Sequence, residues 1–371
     1  MLGRMLWGAL YVKAGFLAVL GLAAGLFYIR LSAGPLDVAG FSHQVAKSLA
    51  DRLGPGWSVA LNDAALQLED GSPALRTAEL AIRNPDGVPV VRAPYAIVSL
   101  DALSLLSGNL QPRLVELRDL HLRASINPDG SLSFVPGEDA TADQPPQGAA
   151  EAASASTKAP AAPGNEASQP SPLSLALASL FDLALERSSI VGAVDQARLT
   201  NARLTLVDAQ QRERVGFNRV DARFVRTPTG ARRFDVTLDG PRGAWRLNGE
   251  VEAAADGRRV GTIVAEAMPV EDALLLSGST AFPGATDVKL SGRIEASVSG
   301  GRIERLSGRV DASPGEVQIE DKDQPPIRVE TASADASWNE AERTLALSDL
   351  SFTAGATRIR LQGALTATDQ G

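Results

Sequence analysis

Hydrophobic positions change their period twice along this chain. First comes an uncharged run at 14–29 (AGFLAVLGLAAGLFYI), flanked by Lys13 and Arg30. At ~1.5 Å per residue it spans about 24 Å, slightly short of a ~30 Å hydrocarbon core, and the Lys13 stem can snorkel across the difference. Trp7, Tyr11, Phe27 and Tyr28 fall at its ends, where interfacial aromatics are favoured. The pattern predicts a transmembrane helix over 14–31. Arg4 and Lys13 precede it, which places 1–13 in the cytoplasm and everything after Arg30 on the other side of the membrane. A cleaved signal peptide is the competing reading; residues 31–33 lack the small first residue of an A-x-A site, and the apolar stretch is long for a leader, which favours a retained anchor. Gly21 and Gly25 have the spacing of a helix-packing pair, but glycine is common in membrane spans, which favours the ordinary reading.

Period four follows. Phe41, Val45, Leu49 and Leu53, between Gly40 and Gly54 with Pro55 after them, predict an amphipathic helix of about three turns. From there the period is two. Val59 and Leu61, Leu66 and Leu68, Ala78, Leu80 and Ile82, Val115 and Leu117, and Leu120, Leu122 and Ile126 alternate with polar or small residues, as strands with one apolar face do. Asn-Pro-Asp-Gly occurs at 84–87 and again at 127–130. Proline presets the first central φ of a turn and glycine accepts a positive one, so both are hairpin turns rather than calcium loops.

Between 137 and 171 large apolar residues almost vanish in favour of Ala, Pro, Ser, Gln, Thr and Glu. Such a stretch buries too little surface to offset its ordering entropy and reads as a flexible linker between a β-rich domain at 32–136 and a second at 172–371. Ser171 and Pro172 resemble an N-cap and N1 pair opening a helix to about Glu186 with Leu173, Leu177, Leu180 and Phe181. Period two then resumes at Leu204 and Leu206, Val220 and Phe224, Phe234, Val236 and Leu238, and Ile327 and Val329, with a short helical interval at 270–276.

One strand type recurs: Leu, any residue, Gly, any residue, an aliphatic, any residue, Ala. It stands at 247–253, 290–296, 306–312 and 361–367. Alternation puts all four marked residues on one face, which is apolar, thin and able to bend at its glycine. Its Leu and aliphatic positions, Leu247, Val251, Leu290, Ile294, Leu306, Val310, Leu361 and Leu365, are the candidate residues for contact with an apolar ligand. The same alternation would serve a sandwich whose two apolar faces meet.

Composition narrows the chemistry. The 371 residues include no Cys and 2 His, and 36 Lys and Arg face 44 Asp and Glu for a net charge of -8. Disulfides, zinc-thiolate sites, iron–sulfur clusters and thiol nucleophiles are excluded. The acidic balance opposes binding to a phosphate backbone, so nucleic acid is not an expected partner. No G-x-S-x-G elbow, Walker A loop or H-E-x-x-H motif occurs. His121 lies two residues after Asp119 with no nucleophile marked, and His43 falls on the early helix. Glu271 with Asp272 reads as a helix start and Asp321 with Asp323 as a turn; Arg232 with Arg233, and Arg258 with Arg259, read as solvated residues beside turns. No enzyme, cofactor or metal site is expected.

The segments APYAIVSL at 93–100, LSLLSGNL at 103–110, LVELRDLHL at 114–122 and NPDGSLSF at 127–134 resemble the AsmA-like family. VDQARLTNARLTLVD at 194–208 and MPVEDALLL at 268–276 are similar to the strand pairs of its YhdP-type members. The resemblance implies an inner-membrane helix followed by an elongated, curved, mostly antiparallel β-sheet in the periplasm. That sheet would form an open groove whose apolar face carries lipid toward the outer membrane. The larger members are several times longer, so the resemblance implies either a short member or, as the favoured expectation, an amino-terminal portion of a longer protein. At ~25 cal/mol/Å², covering ~400 Å² of acyl chain would contribute about 10 kcal/mol before desolvation and entropy costs. The rival expectation is a membrane-anchored assembly factor that binds outer-membrane proteins by strand addition.

Overall fold

The computed structural model describes residues 29–126, 132–135 and 177–366, apart from short stretches within them such as 102–111, 277–283 and 320–324. The expected span at 14–28, the second Asn-Pro-Asp-Gly, the 137–171 stretch, the Ser171–Pro172 cap and Asp321 with Asp323 lie outside these residues. Among the described residues, no helix is long and apolar enough to cross a membrane.

The protein is mainly β, with few helices, and divides into two compact units, Met1–Arg118 and Asp119–Gly371. In the first unit, helix α1 (Ala39–Leu53) follows the short β1 (Leu36–Asp37). Its period-four residues Val45, Leu49 and Leu53 are buried. Gly54, at φ 120, ends it in a conformation open to glycine. The strands are β2 (Ser58–Asn62), β3 (Ala65–Glu69), β4 (Ser72–Thr77), β5 (Glu79–Arg83), β6 (Pro89–Ala93), β7 (Tyr95–Leu100) and β8 (Pro112–Arg118). They form two antiparallel runs, β1–β3–β4–β7–β8 and β2–β5–β6. The first Asn-Pro-Asp-Gly is a turn between β5 and β6, with Gly87 at φ 78 and its amide bonded to the Asn84 carbonyl at 2.9 Å. Leu66, Leu75, Val98 and Val115 stand opposite one another across four strands, and none is more than 2% exposed. From β3 to β8 this row is buried.

The second unit begins with β9 (His121–Ile126) and β10 (Leu132–Val135), an antiparallel pair. After the short α2 (Ile190–Ala193), the chain continues through β11 (Gln196–Val207), β12 (Glu213–Arg226), β13 (Arg232–Gly240), β14 (Gly243–Ala253) and β15 (Arg259–Pro269). Then come α3 (Val270–Leu276), β16 (Gly284–Thr286), β17 (Lys289–Ser299), β18 (Arg302–Ala312), β19 (Gly315–Ile319), β20 (Ile327–Val329), β21 (Thr331–Asn339), β22 (Thr344–Ala354) and β23 (Thr357–Thr366). From β11 to β23 neighbours pair antiparallel in the order β11–β12–β13–β14–β15–β17–β18–β21–β22–β23, while β16, β19 and β20 form a small separate sheet.

β9 pairs parallel with β11, Leu122 opposite Leu204, so the sheet is mixed, with most of its described pairs antiparallel. A parallel pair needs a crossover of about a dozen residues or more, and the long interval between β10 and β11 supplies one. β9 and β10 fall in the unit that begins at Asp119. The helical interval at 270–276 is found as α3. It follows a β-bulge between β15 and β17 at which Ala267 adopts φ 56, re-aiming the chain as it leaves the sheet.

Candidate functional site

The recurring Leu-Gly-aliphatic-Ala strands build one face of the second unit's sheet. In β17 and β18 two copies run antiparallel in reverse register: Leu290 faces Ala312, Gly292 faces Val310, Ile294 faces Gly308 and Ala296 faces Leu306. Each bulky residue thus lies beside a small one. A Cβ at Gly308 would lie 3.2 Å from Ile294 Cγ1, and one at Gly292 would lie 3.0 Å from Val310 Cγ2. The glycines make room for the aliphatic chains of the neighbouring strand, and this complementarity keeps the face thin.

Following register from strand to strand, these residues fall into rows that cross the sheet. One row runs Val251, Gly261, Ala296, Leu306, Trp338, Leu345 and Leu365. The next runs Gly249, Ile263, Ile294, Gly308, Ala336, Leu347 and Gly363. The opposite face is charged and exposed, with ion pairs Arg233–Glu250 at 2.9 Å, Arg293–Glu295 at 3.0 Å, Arg309–Asp311 at 3.0 Å and Arg360–Asp349 at 2.8 Å. Pairs this exposed contribute about 0–1 kcal/mol each and chiefly keep that side in water.

Cover on the apolar face is uneven. Helical residues Leu177, Phe181 and Ala184 lie on it and are buried, Phe181 completely, within a core that includes Phe234, Val251, Ile263, Ala296, Val298 and Ile303. The Phe181 ring occupies the space above Gly261, where a Cβ would come within 2.7 Å of Phe181 Cζ. Asp182 of the same helix pairs with Arg259 at the start of β15. Toward β22 and β23 the cover ends. Leu345, Ile359, Leu361 and Leu365 are 40%, 45%, 52% and 72% exposed, and all of β23 is exposed.

The eight candidate residues therefore separate. Val251, expected to line a groove, is fully buried beneath the helix as core. Leu247 and Leu306 are half-buried and packed against that core, and Leu290, Ile294 and Val310 are half-buried. Leu361 and Leu365 are open to solvent. Residues passed over in the sequence complete the surface: Trp338, Leu345 and Ile359. Ile359 continues the alternation of Leu361 and Leu365 one step backward and was readable from it. Trp338 stands in a strand of Ala and Ser, and only its place opposite Leu306 and Leu345 puts it on the face.

The charged residues take structural roles. Arg232, expected to be solvated, is only 2% exposed; it donates to the carbonyls of Gly192 at 2.8 Å and Asp195 at 3.3 Å. Burial, with the neighbouring Arg226 adding to it, pushes its guanidinium down to about 10, so it remains a cation at neutral pH. Glu271 and Asp272 open α3 as expected. Asp272 is also buried and accepts from Arg242 Nη1 at 2.8 Å and Trp245 Nε1 at 3.1 Å, pinning α3 to β14. His43 and His121 are exposed, and the Asp119 carboxylate accepts from Asn201 Nδ2 at 2.5 Å. Among the described residues, no group of three or more His, Asp or Glu side chains could hold a metal ion. No protein-family model, curated protein or solved structure matches this chain.

Proposed function

We propose that this chain is an inner-membrane-anchored periplasmic protein that carries lipid acyl chains, phospholipid above all, along the apolar face of its second unit toward the outer membrane. In this reading the face is one wall of a groove and the protein performs no catalysis. The observation that carries it is the single row from Val251 to Leu365. It passes from complete burial to 72% exposure without a polar interruption, leaving a broad apolar strip in water at β22 and β23. Exposed apolar strips of this kind mark interaction surfaces. Acyl chains are flexible and non-directional, and they suit a face whose row offers one hydrogen-bonding group, the Trp338 indole N–H. The resemblance to AsmA-like proteins supports the same assignment.

The test is mass spectrometry of lipid retained by the purified chain, combined with photo-crosslinking to phospholipid bearing a diazirine in its acyl chain. Retained phospholipid and crosslinks at Leu361 and Leu365, both reduced by Leu361→Ser with Leu365→Ser, are the expected results. A folded chain that retains no lipid and takes no crosslink would overturn the assignment. The complete exposure of β23 favours one second reading, an assembly factor that adds a client strand at this edge. Strand addition rests on backbone hydrogen bonds, so it would tolerate the two serine substitutions and fail when proline enters 357–366.

A further inference from the structure

We infer that two copies of this chain pair edge to edge through β23, antiparallel about a two-fold axis at Ala364, so that their apolar faces join into one. The occupant of the β23 edge is thus a second copy of the same strand, and the pairing does not depend on what the faces carry.

Three observations support it. The first is that the recurring pattern is complementary to its own reverse. Read antiparallel about its central position, Leu-x-Gly-x-aliphatic-x-Ala sets each Leu against an Ala and each Gly against an aliphatic residue. β17 and β18 show that pairing within the chain, Gly292 opposite Val310 and Ile294 opposite Gly308. The copies in β14, β17 and β18 each lie between two strands, whereas β23, which holds the fourth, pairs with β22 and is exposed along its whole length. The second is the space beside Gly363. A Cβ at Gly249, Gly292 or Gly308 would press on a carbonyl oxygen of the neighbouring strand, that of Thr262, Arg309 or Arg293, but one at Gly363 meets nothing within 4 Å. The glycine that lets a neighbouring copy approach is present here, and the neighbour is not. The third is the lack of a guard. Exposed strand edges are ordinarily blunted by charge or proline, yet residues 361–366 (LQGALT) contain neither, and Arg358 and Arg360 fall before them.

In the register that β17 and β18 display, Gly363 stands opposite Leu365 of the second copy, Gln362 opposite its Thr366, and Ala364 opposite itself. Residues of like parity meet, so apolar side chains stay on the apolar face. At the corresponding centre β17 and β18 set Arg293 against Arg309, each paired with an acidic residue two positions on, Glu295 and Asp311. Ala364 brings no charge to the axis. The row that ends at Leu365 would run on into Gly363 and Leu347 of the second copy, and the row that ends at Gly363 into its Leu365 and Leu345. A pairing this short buries less than the ~1,200 Å² of a stable complex, so the dimer should form in the micromolar range or above.

The test uses the full chain in detergent. Because the chain has no cysteine, a single introduced one can crosslink only to its twin. Under mild oxidation Ala364→Cys should give a disulfide-linked dimer at least about tenfold faster than Gln362→Cys, whose two copies would lie four residues out of register, ~14 Å apart. Sedimentation should show the native chain in a concentration-dependent equilibrium of monomer and dimer. Ala364→Asp, which sets two carboxylates face to face at an exposed position, should weaken the dimer at least about fivefold, and an equal mixture of Ala364→Asp and Ala364→Lys chains should restore it. Equal crosslinking at 362 and 364, or association indifferent to Ala364→Asp, places the contact elsewhere and overturns the pairing. A chain that stays monomeric at every concentration overturns it too and leaves the edge to a strand of another protein. Should Ala364→Asp fail to fold, the two cysteine variants still decide. None of these readouts involves lipid, so the lipid-carrying reading stands or falls separately.

Discussion

Val251 and Leu365 hold the same place in two copies of one sequence pattern, the aliphatic position two residues after the glycine, and they stand in the same row of the same sheet. One is completely buried and the other 72% exposed. The difference lies in what rests on them: a helix bearing Phe181 over the first, water over the second. Alternating hydrophobicity thus marks a face that wants cover without saying what supplies it. In the first unit the row Leu66, Leu75, Val98 and Val115 is buried throughout. In the second unit the need is met only in part, and the proposal assigns the remainder to lipid.

The comparison is broken most sharply by introducing a charge at each end of the row. Val251→Asp should destabilise the second unit by on the order of 4 kcal/mol or more, since an unpaired carboxylate would be buried. Leu365→Asp should change stability by no more than about 0.5 kcal/mol. Urea denaturation followed by the fluorescence of buried Trp245 measures both, and equal costs would mean that Leu365 is covered in solution.

Arg232 faces Val251 at the covered end and tests whether polar closure there is as firm as the apolar cover. Arg232→Leu should cost about 1–3 kcal/mol in the same experiment, because the Asp195 and Gly192 carbonyls lose a buried charged donor. A neutral effect would show that Arg226, 2.6 Å from the Gly192 carbonyl, serves alone.

A matched pair of glycines gives the next effect. A Cβ at Gly249 would press on the Thr262 carbonyl and within 2.7 Å of the Phe234 ring, whereas one at Gly363 meets nothing within 4 Å. Gly249→Ala should cost about 1–3 kcal/mol. Gly363→Ala should be neutral or stabilise by about 0.4–1 kcal/mol by restricting the unfolded chain. Denaturation midpoints that moved together would remove the distinction between the two ends of the face.

The smallest effect belongs to the closed first unit. Glu79 is held below its ordinary 4.5 by the hydrogen bond from Asn62 Nδ2 at 2.9 Å and then by Arg92 Nε at 2.8 Å. Its contribution is present above that ordinary value and is lost as pH falls through the lowered one. After solvent screening it amounts to a few tenths of a kcal/mol. Glu79→Gln should flatten the acid side of the first unit's stability profile by that amount, read from urea midpoints at pH 7 and pH 3. The second unit should be unaffected.

Much of the architecture was legible beforehand because it is local. Val45, Leu49 and Leu53 at period four, with Gly54 and Pro55 after them, mark α1 and its last residue, and the acidic pair Glu271 and Asp272 marks the start of α3. The Asn-Pro-Asp-Gly at 84–87 marks its hairpin for the same reason, since φ preferences act within a few residues. The burial of Arg232 was not legible. Beside a turn an arginine is ordinarily solvated, and its partners lie 40 and 37 residues away. The parallel pairing of β9 with β11 was hidden likewise, because strand partners across a long crossover leave no trace in either strand's own pattern.

By itself, the sequence determined that these segments are strands with one apolar face, where the glycines make that face thin, and that no thiol chemistry is available to the chain. Tertiary structure alone decided which part of the face became core and which was left in water. The reason is physical: alternation is a property of each strand, but burial depends on what the chain brings back from elsewhere to lie on it. Here the helical residues Leu177, Phe181 and Ala184 share a core with Val251 and Ile263, while Leu361 and Leu365 stay exposed.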